Sequence, residues 1–255
     1  MKKYIITLCL AMLLLLCACT AHDANPEAST PSTAEQNAAV ETEAAYLFEN
    51  SEENAICTAY PRLCSPENDA ANDTIYNFVQ EKIAAICILT DYNLTASSEK
   101  PSETAEDYQN TYLNVEYRIT YCTDDVVSIV FEGLYNYKKA AHPIHLLFTL
   151  NIDPQSGKEI AFADRYAIDD ALYEAFAAQA EKDITEGAGG TWPEGWGTFS
   201  DAICSKAAFL NGLSSGDDFH VFYTAEGVGI SYPVPYAMGD HLEVMLPYSA
   251  LNALK

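Results

Sequence analysis

Leu113-Asn114-Val115-Glu116-Tyr117-Arg118-Ile119-Thr120-Tyr121 alternates apolar and polar residues with a period of two, and that alternation decides the fold class. A period of two puts one side of an extended chain in a core and the other toward polar surroundings, so the stretch reads as a half-buried strand. Thr123-Asp124-Asp125 then turns the chain. A second strand follows, with Val127, Ile129, Phe131, Gly133, Tyr135 and Tyr137 set against Ser128, Glu132 and Asn136. A third places Ile144, Leu146, Phe148, Leu150 and Ile152 on one face. Asp153-Pro154-Gln155-Ser156-Gly157-Lys158 has the chemistry of a tight turn, Pro fixing φ and Gly accepting positive φ, and Glu159–Phe162 is expected as a short closing strand. Three hairpin-linked strands make an antiparallel meander.

Outward from the meander the period changes. Ile75, Phe78, Val79, Ile83 and Ile86 recur at helical spacing, so Thr74 to about Leu89 is expected as a helix, with Asn72 or Asp73 as its cap. A strand is expected over Glu53–Leu63. Downstream, Ile168, Leu172, Phe176 and Ala180 mark a helix from Ile168 to about Ile184. A less regular helical stretch covers Phe199–Leu210. Strands return at 219–223, 228–232 and 242–246, and Pro247-Tyr248-Ser249 opens a last helical turn. The expected class is α+β, antiparallel meanders packed with two or three helices.

The first residues point to a compartment. Lys2 and Lys3 precede the apolar run Ile5–Leu16, which has the length of a signal h-region and falls short of the roughly 20 residues of a membrane span. Leu16-Cys17-Ala18-Cys19 fits a bacterial lipobox. A small residue must precede the modified cysteine, so Cys19 is the expected lipid site, the cell membrane its first partner, and the outer face of the cytoplasmic membrane the expected location. Residues 1–18 are then the signal peptide and residues 19–45 a lipidated, disordered tether rich in Ser, Thr, Pro and Glu. Two α+β subdomains are expected, over 46–137 and 138–255.

The formal charge is −24, and −26 once Lys2 and Lys3 have left with the signal, which excludes a nucleic-acid partner and favours a cationic one. Of eight cysteines, Cys9 and Cys17 leave and Cys19 carries lipid. Cys57, Cys64, Cys87, Cys122 and Cys204 remain, an odd number, with no C-x-x-C pair. Cys57 and Cys64, flanking Tyr60-Pro61, are the first candidates for a disulfide, while Cys87 and Cys122 read as small buried hydrophobes.

No constellation argues for catalysis, a metal or a cofactor. Gly212-Leu213-Ser214-Ser215-Gly216 matches the G-x-S-x-G spelling of the serine-hydrolase elbow but follows a helix and runs into Asp217-Asp218, the reverse of the strand–turn–helix context the elbow needs. His142 and His145 would point to opposite sides of one strand, and His220 and His241 stand alone. No phosphate loop or dinucleotide fingerprint occurs. Two loops are better candidates for binding. Thr191-Trp192-Pro193-Glu194-Gly195-Trp196 holds both tryptophans; Trp192 and Trp196 either stack on sugar rings or fold back as a plug over the core. Tyr232-Pro233-Val234-Pro235-Tyr236-Ala237-Met238-Gly239 is stiffened by its prolines. It either presents Pro235, Tyr236 and Met238 to a protein partner or packs Tyr232 and Tyr236 inward.

Several segments carry a family resemblance: Tyr135-Asn136-Tyr137-Lys138-Lys139-Ala140-Ala141-His142-Pro143, Phe148-Thr149-Leu150-Asn151-Ile152-Asp153, Ser156-Gly157-Lys158 and Ala161-Phe162-Ala163-Asp164-Arg165-Tyr166. The tail adds Gly227-Val228-Gly229-Ile230, Tyr232 to Tyr236, and Val244-Met245-Leu246-Pro247-Tyr248. In that order, with Tyr60-Pro61 and the Ile75–Ile86 helix ahead of them, they resemble the tandem ectodomain of RsiV-type anti-sigma factors. The same tandem forms the non-catalytic part of some peptidoglycan deacetylases. Ala140-Ala141-His142 departs from the usual Gly-Ala-His. No sigma-binding segment accompanies the resemblance, so an anti-sigma role is not implied. What is implied is a non-enzymatic binding domain for lysozyme or another cationic wall-active protein, with wall glycan (peptidoglycan) as the alternative ligand.

Overall fold

The computed structural model describes residues 41–47, 56–89, 112–136, 142–216 and 219–254. The expected signal peptide, Cys19 and the expected tether up to residue 40 lie outside the described residues, as do Tyr137 to Ala141. In chain order the strands are β1 (Thr42–Tyr46), β2 (Ile56–Leu63), β3 (Tyr112–Cys122), β4 (Val127–Asn136), β5 (Ile144–Ile152), β6 (His220–Tyr223), β7 (Gly227–Pro233) and β8 (His241–Pro247). The helices are α1 (Asp69–Leu89), α2 (Asp170–Gly187), α3 (Phe199–Ala202), α4 (Lys206–Ser215) and α5 (Tyr248–Ala253). β1 to β5 form one sheet in sequence order and β6 to β8 a second. Every pairing is antiparallel except β2 with β3, which run parallel over Ile56–Thr58. α1 is the crossover that a parallel pair requires.

Four expectations change. The tether does not run to Ala45, because Thr42–Tyr46 pairs with Ala59–Leu63 as the edge strand β1. α1 starts at Asp69, preceded by a 3-10 turn, Pro66–Asn68, whose cap is Ser65. Asn72 instead accepts the Leu63 N–H at 2.8 Å and donates to the Leu63 carbonyl at 2.9 Å, standing in for a strand neighbour at the end of β2. The Glu159–Phe162 strand reduces to one bridge between Ile152 and Glu159, followed by a 3-10 turn at Phe162–Asp164. The Phe199–Leu210 stretch is two helices, broken where the Ser205 hydroxyl caps α4 by accepting from the Ala208 N–H at 3.2 Å.

The first sheet is covered on both sides. Ile75, Val79 and Ile83 of α1 pack fully buried against Val115, Ile129, Phe131, Phe148 and Leu150. On the other side Val130 and Leu147 meet Phe222 of β6. The Phe222 ring lies across Gly229, where a Cβ would stand 2.1 Å from the ring, so glycine is what lets it lie flat. The opposite side of the second sheet, through Val221, Val228, Ile230, Val244 and Leu246, buries Phe176 of α2 and Phe209 of α4. The boundary expected at residues 137 and 138 therefore falls inside the first sheet, whose strands β4 and β5 pair from Val127–Ile152 to Tyr135–Ile144. No helix among the described residues is long and apolar enough to cross a membrane.

Candidate functional site

The β7–β8 connection, Val234 to Asp240, is closed on itself. The Val234 N–H donates to the Asp240 carbonyl at 2.8 Å, and Tyr236–Met238 makes a 3-10 turn. Gly239 at φ +99° and Asp240 at φ +68° reverse the chain, Asp240 being the one non-glycine residue in the left-handed region among those described. Asp tolerates that region better than most residues do. It also sends its side chain where it is needed: Asp240 Oδ2 accepts the His145 N–H at 3.0 Å. The next residue completes the contact, with His241 Nε2 2.9 Å from the His145 carbonyl. A carbonyl only accepts, so Nε2 carries a proton. Both backbone groups of one β5 residue are thus held by a loop of the second sheet.

The two tyrosines of this segment take opposite orientations. Tyr232 turns inward, its hydroxyl donating to the Ile203 carbonyl at 2.7 Å and its ring 4.9 Å from that of Phe219. Tyr236 turns outward and is 49% exposed, more than any other large apolar or aromatic side chain among the described residues. Its ring stacks on the His142 imidazole, centroids 3.5 Å apart and planes 16° apart. His142 Nδ1 is 3.1 Å from the Pro143 carbonyl and so carries the proton there. Pro235 is exposed and Met238 half-buried. Pro235, Tyr236 and Met238 thus share one tight turn, and His142, which the sequence did not single out for it, stacks on its Tyr236.

The tryptophan loop divides between its two readings. Trp192 is half-buried against the core under the second sheet, and its indole N–H donates to the Gly197 carbonyl at 2.9 Å. Trp196 meets it edge to face, 5.9 Å between centroids at 90°, and is 37% exposed. One indole plugs and one is presented.

The other candidates fall into place. Arg118 of β3 bridges Glu132 of β4 at 2.8 Å and Glu243 of β8 at 3.0 Å, with its guanidinium 5.0 Å from the Phe222 ring centroid. Such half-exposed pairs add little stability singly, but these mark where the two sheets meet. Ser214 lies in the last turn of α4, its hydroxyl donating to the Leu210 carbonyl at 2.6 Å, so the strand–turn–helix elbow does not form around it. Cys57 and Cys64 sit at opposite ends of β2; seven residues of extended chain separate them by about 23 Å, far beyond disulfide reach. Both are free thiols, as is Cys204. Cys122 is only half-buried, and the Cys87 side chain lies outside the described residues. Burial pushes the Cys204 thiol up to about 11, which makes it inert.

No protein-family model and no curated protein matches this chain. Solved structures similar to it include a DUF3298 family protein from Pseudomonas aeruginosa PAO1, at 15% identity and a TM-score of 0.49, covering 84% of this chain and 92% of that one. A DUF3298 family member from Bacteroides fragilis NCTC 9343 has 16% identity and a TM-score of 0.49, covering 86% and 94%.

Proposed function

We propose that this chain is an extracytoplasmic, lipid-anchored binding protein of the RsiV-ectodomain type that docks a cationic wall-active protein of the lysozyme class. Tyr236 carries the reading: an exposed aromatic ring on a loop closed by the Val234–Asp240 bond and held to β5 at Asp240 and His241, with Pro235 and Met238 beside it. A ring that is already ordered loses little entropy on binding, which is why Tyr is favoured as an interface anchor. The charge of the whole sequence, −24, supplies long-range attraction for a basic partner. Binding rather than catalysis also suits Ser214, whose hydroxyl is tied to its own helix.

Calorimetric titration of lysozyme into the detergent-solubilised protein at low salt is expected to show binding that weakens as salt rises. Tyr236→Ala is expected to weaken it about thirtyfold, the loss that a hot-spot aromatic produces. A folded wild-type protein that gives no heat at low salt removes lysozyme as the partner. Binding unchanged in Tyr236→Ala moves the interface elsewhere. The alternative, wall glycan, is favoured by the presented indole of Trp196 beside Trp192. Stacking on sugars depends little on salt, so titration with peptidoglycan fragments separates the two readings.

The anchor has its own test. Cells labelled with a fatty acid are expected to incorporate it into the wild-type protein and not into Cys19→Ala, which should also leave the membrane fraction or remain unprocessed. Equal labelling of the variant would rule out Cys19 as the lipid site.

A further inference from the structure

The unpaired N–H and C=O groups along the edge of a sheet are a template for a further strand. The edges here are β1 and β5 of the first sheet and β6 and β8 of the second. Two of them are closed by dedicated contacts. On β6, the Val221 carbonyl is taken by Asn151 Nδ2 at 2.8 Å and the Tyr223 N–H by Ser128 Oγ at 2.9 Å. β5 is stopped at both ends, at His145 by Asp240 and His241, and at the Asn151 carbonyl by the Ile160 N–H at 2.8 Å.

β8 is left open. The Val234 N–H bonds the Asp240 carbonyl and the Tyr248 N–H the Glu226 carbonyl, so in the ladder between those two bonds Leu242, Val244 and Leu246 are the residues that bond to β7. The backbone groups of His241, Glu243 and Met245 point the other way, and no hydrogen bond among the described residues reaches them. What sets this edge apart from β1 is the surface beside it. β6 covers the first sheet at Val130 and Leu147, and β8 crosses it where Arg118 of β3 joins Glu132 of β4 to Glu243. The order β6, β7, β8 thus runs along β4 from Val130 toward Glu132, and the open edge faces the residues beyond. There Leu134 is 37% exposed, on the same side of β4, with exposed Asn114 and His145 opposite it on the two neighbouring strands. Exposed Glu116 stands opposite Glu132. A strand added to β8, roughly 4.8 Å from it, would lie over this shelf.

Charge selects the occupant. Arg118 is shared by Glu132 and Glu243, which leaves one carboxylate charge over, and Glu116 has no ion pair among the described residues. The whole chain, Lys138 and Lys139 after β4 included, carries −24. A second copy pairing through its own β8, centred on the three open residues, would set Glu243 opposite Glu243, and like charges directly opposite are destabilising. A basic side chain at that place is attracted instead. We propose that the open edge of β8 is a strand-addition site for an extended basic peptide segment, which pairs with His241, Glu243 and Met245 and lays Arg or Lys side chains over Glu243 and Glu116. The site does not use Tyr236 and stands whether or not lysozyme binds.

The probe is a capped heptapeptide that alternates Arg and Thr, added at about 1 mM to the full chain in detergent, with hydrogen exchange as the readout. The amides of His241, Glu243 and Met245 are expected to slow by about tenfold, while those of Thr42 and Ala44 on the β1 edge keep their rates. The counterpart with Glu for Arg should have no effect. N-methylation of the peptide's backbone keeps its charge and removes its donors, and should abolish the slowing. Met245→Pro removes an outward N–H and no bond to β7, a position where an edge strand accepts proline, and should abolish it as well while interior amides of α2 stay protected. No slowing on β8 with the Arg peptide, or equal slowing with the Glu or the N-methylated peptide, overturns the site. So does equal slowing on β1.

Discussion

Phe131→Ala is expected to destabilise the domain by about 3–5 kcal/mol, the loss typical of an aromatic ring removed from a core that cannot collapse. Phe131 is wholly buried on the interior strand β4 and stacks on Phe148 of β5 at 5.0 Å and 15°. Phe78 of α1 closes the group at 6.1 Å from Phe131 and 6.0 Å from Phe148. Three elements thus meet at one ring, and none can move into the space without leaving its other contacts. β4 pairs on both sides and α1 is held at its start by Asn72 and at Thr74, whose hydroxyl donates to the Gly157 carbonyl at 2.8 Å. A urea melt of the variant against wild type, at unchanged m-value, gives the number. A loss below about 1 kcal/mol would mean that the aromatic group does not bear the packing of α1 on the sheet.

The meander was legible because its alternation is long and its turns carry Asp, Pro and Gly. What escaped was how many sides are covered. Val130 occupies a position that the alternation assigns to polar residues, and an apolar residue there is the trace of a second buried face; it packs on Phe222. The start of α1 escaped because Ala70 and Ala71 add no bulk to a periodic stripe, although Ser65-Pro66-Glu67 spells a helix start in cap chemistry. β1 escaped for a different reason. Thr42-Glu43-Ala44-Ala45 has no hydrophobic signal of its own and is held by the ladder to β2, which only the folded chain provides.

The site divides in the same way. Proline spacing and two tyrosines singled out the 232–239 loop, and its stiffness is local, so sequence could show it. Which tyrosine faces outward depends on Ile203 and Phe219, and the clamp on His145 joins residues 95 and 96 positions apart. Isolated histidines in a sequence give no sign of converging.

Ser128→Ala is expected to destabilise the protein by about 2–4 kcal/mol although it removes a single oxygen, because that oxygen joins the sheets. Ser128 is wholly buried on the side of β4 that faces the second sheet. Its hydroxyl donates to Asn151 Oδ1 at 2.6 Å and accepts the Tyr223 N–H of β6 at 2.9 Å, with the Thr120 hydroxyl 3.1 Å away. Asn151 Nδ2 in turn donates to the Val221 carbonyl at 2.8 Å, so two hydrogen bonds between β6 and the first sheet pass through this pair. Alanine leaves the Tyr223 N–H and the Asn151 oxygen buried and unpaired, each a loss of about 1–3 kcal/mol. Thr120→Val, which touches only the half-buried rim of the network, should lose less than about 1 kcal/mol. Residues of one network are not independent, so Ser128→Ala and Asn151→Ala in a double-mutant cycle should depart from additivity by at least about 0.5 kcal/mol. Additive losses, or a Ser128→Ala melt within about 0.5 kcal/mol of wild type, would leave the apolar contact of Phe222 with Val130 and Leu147 as the main attachment between the sheets.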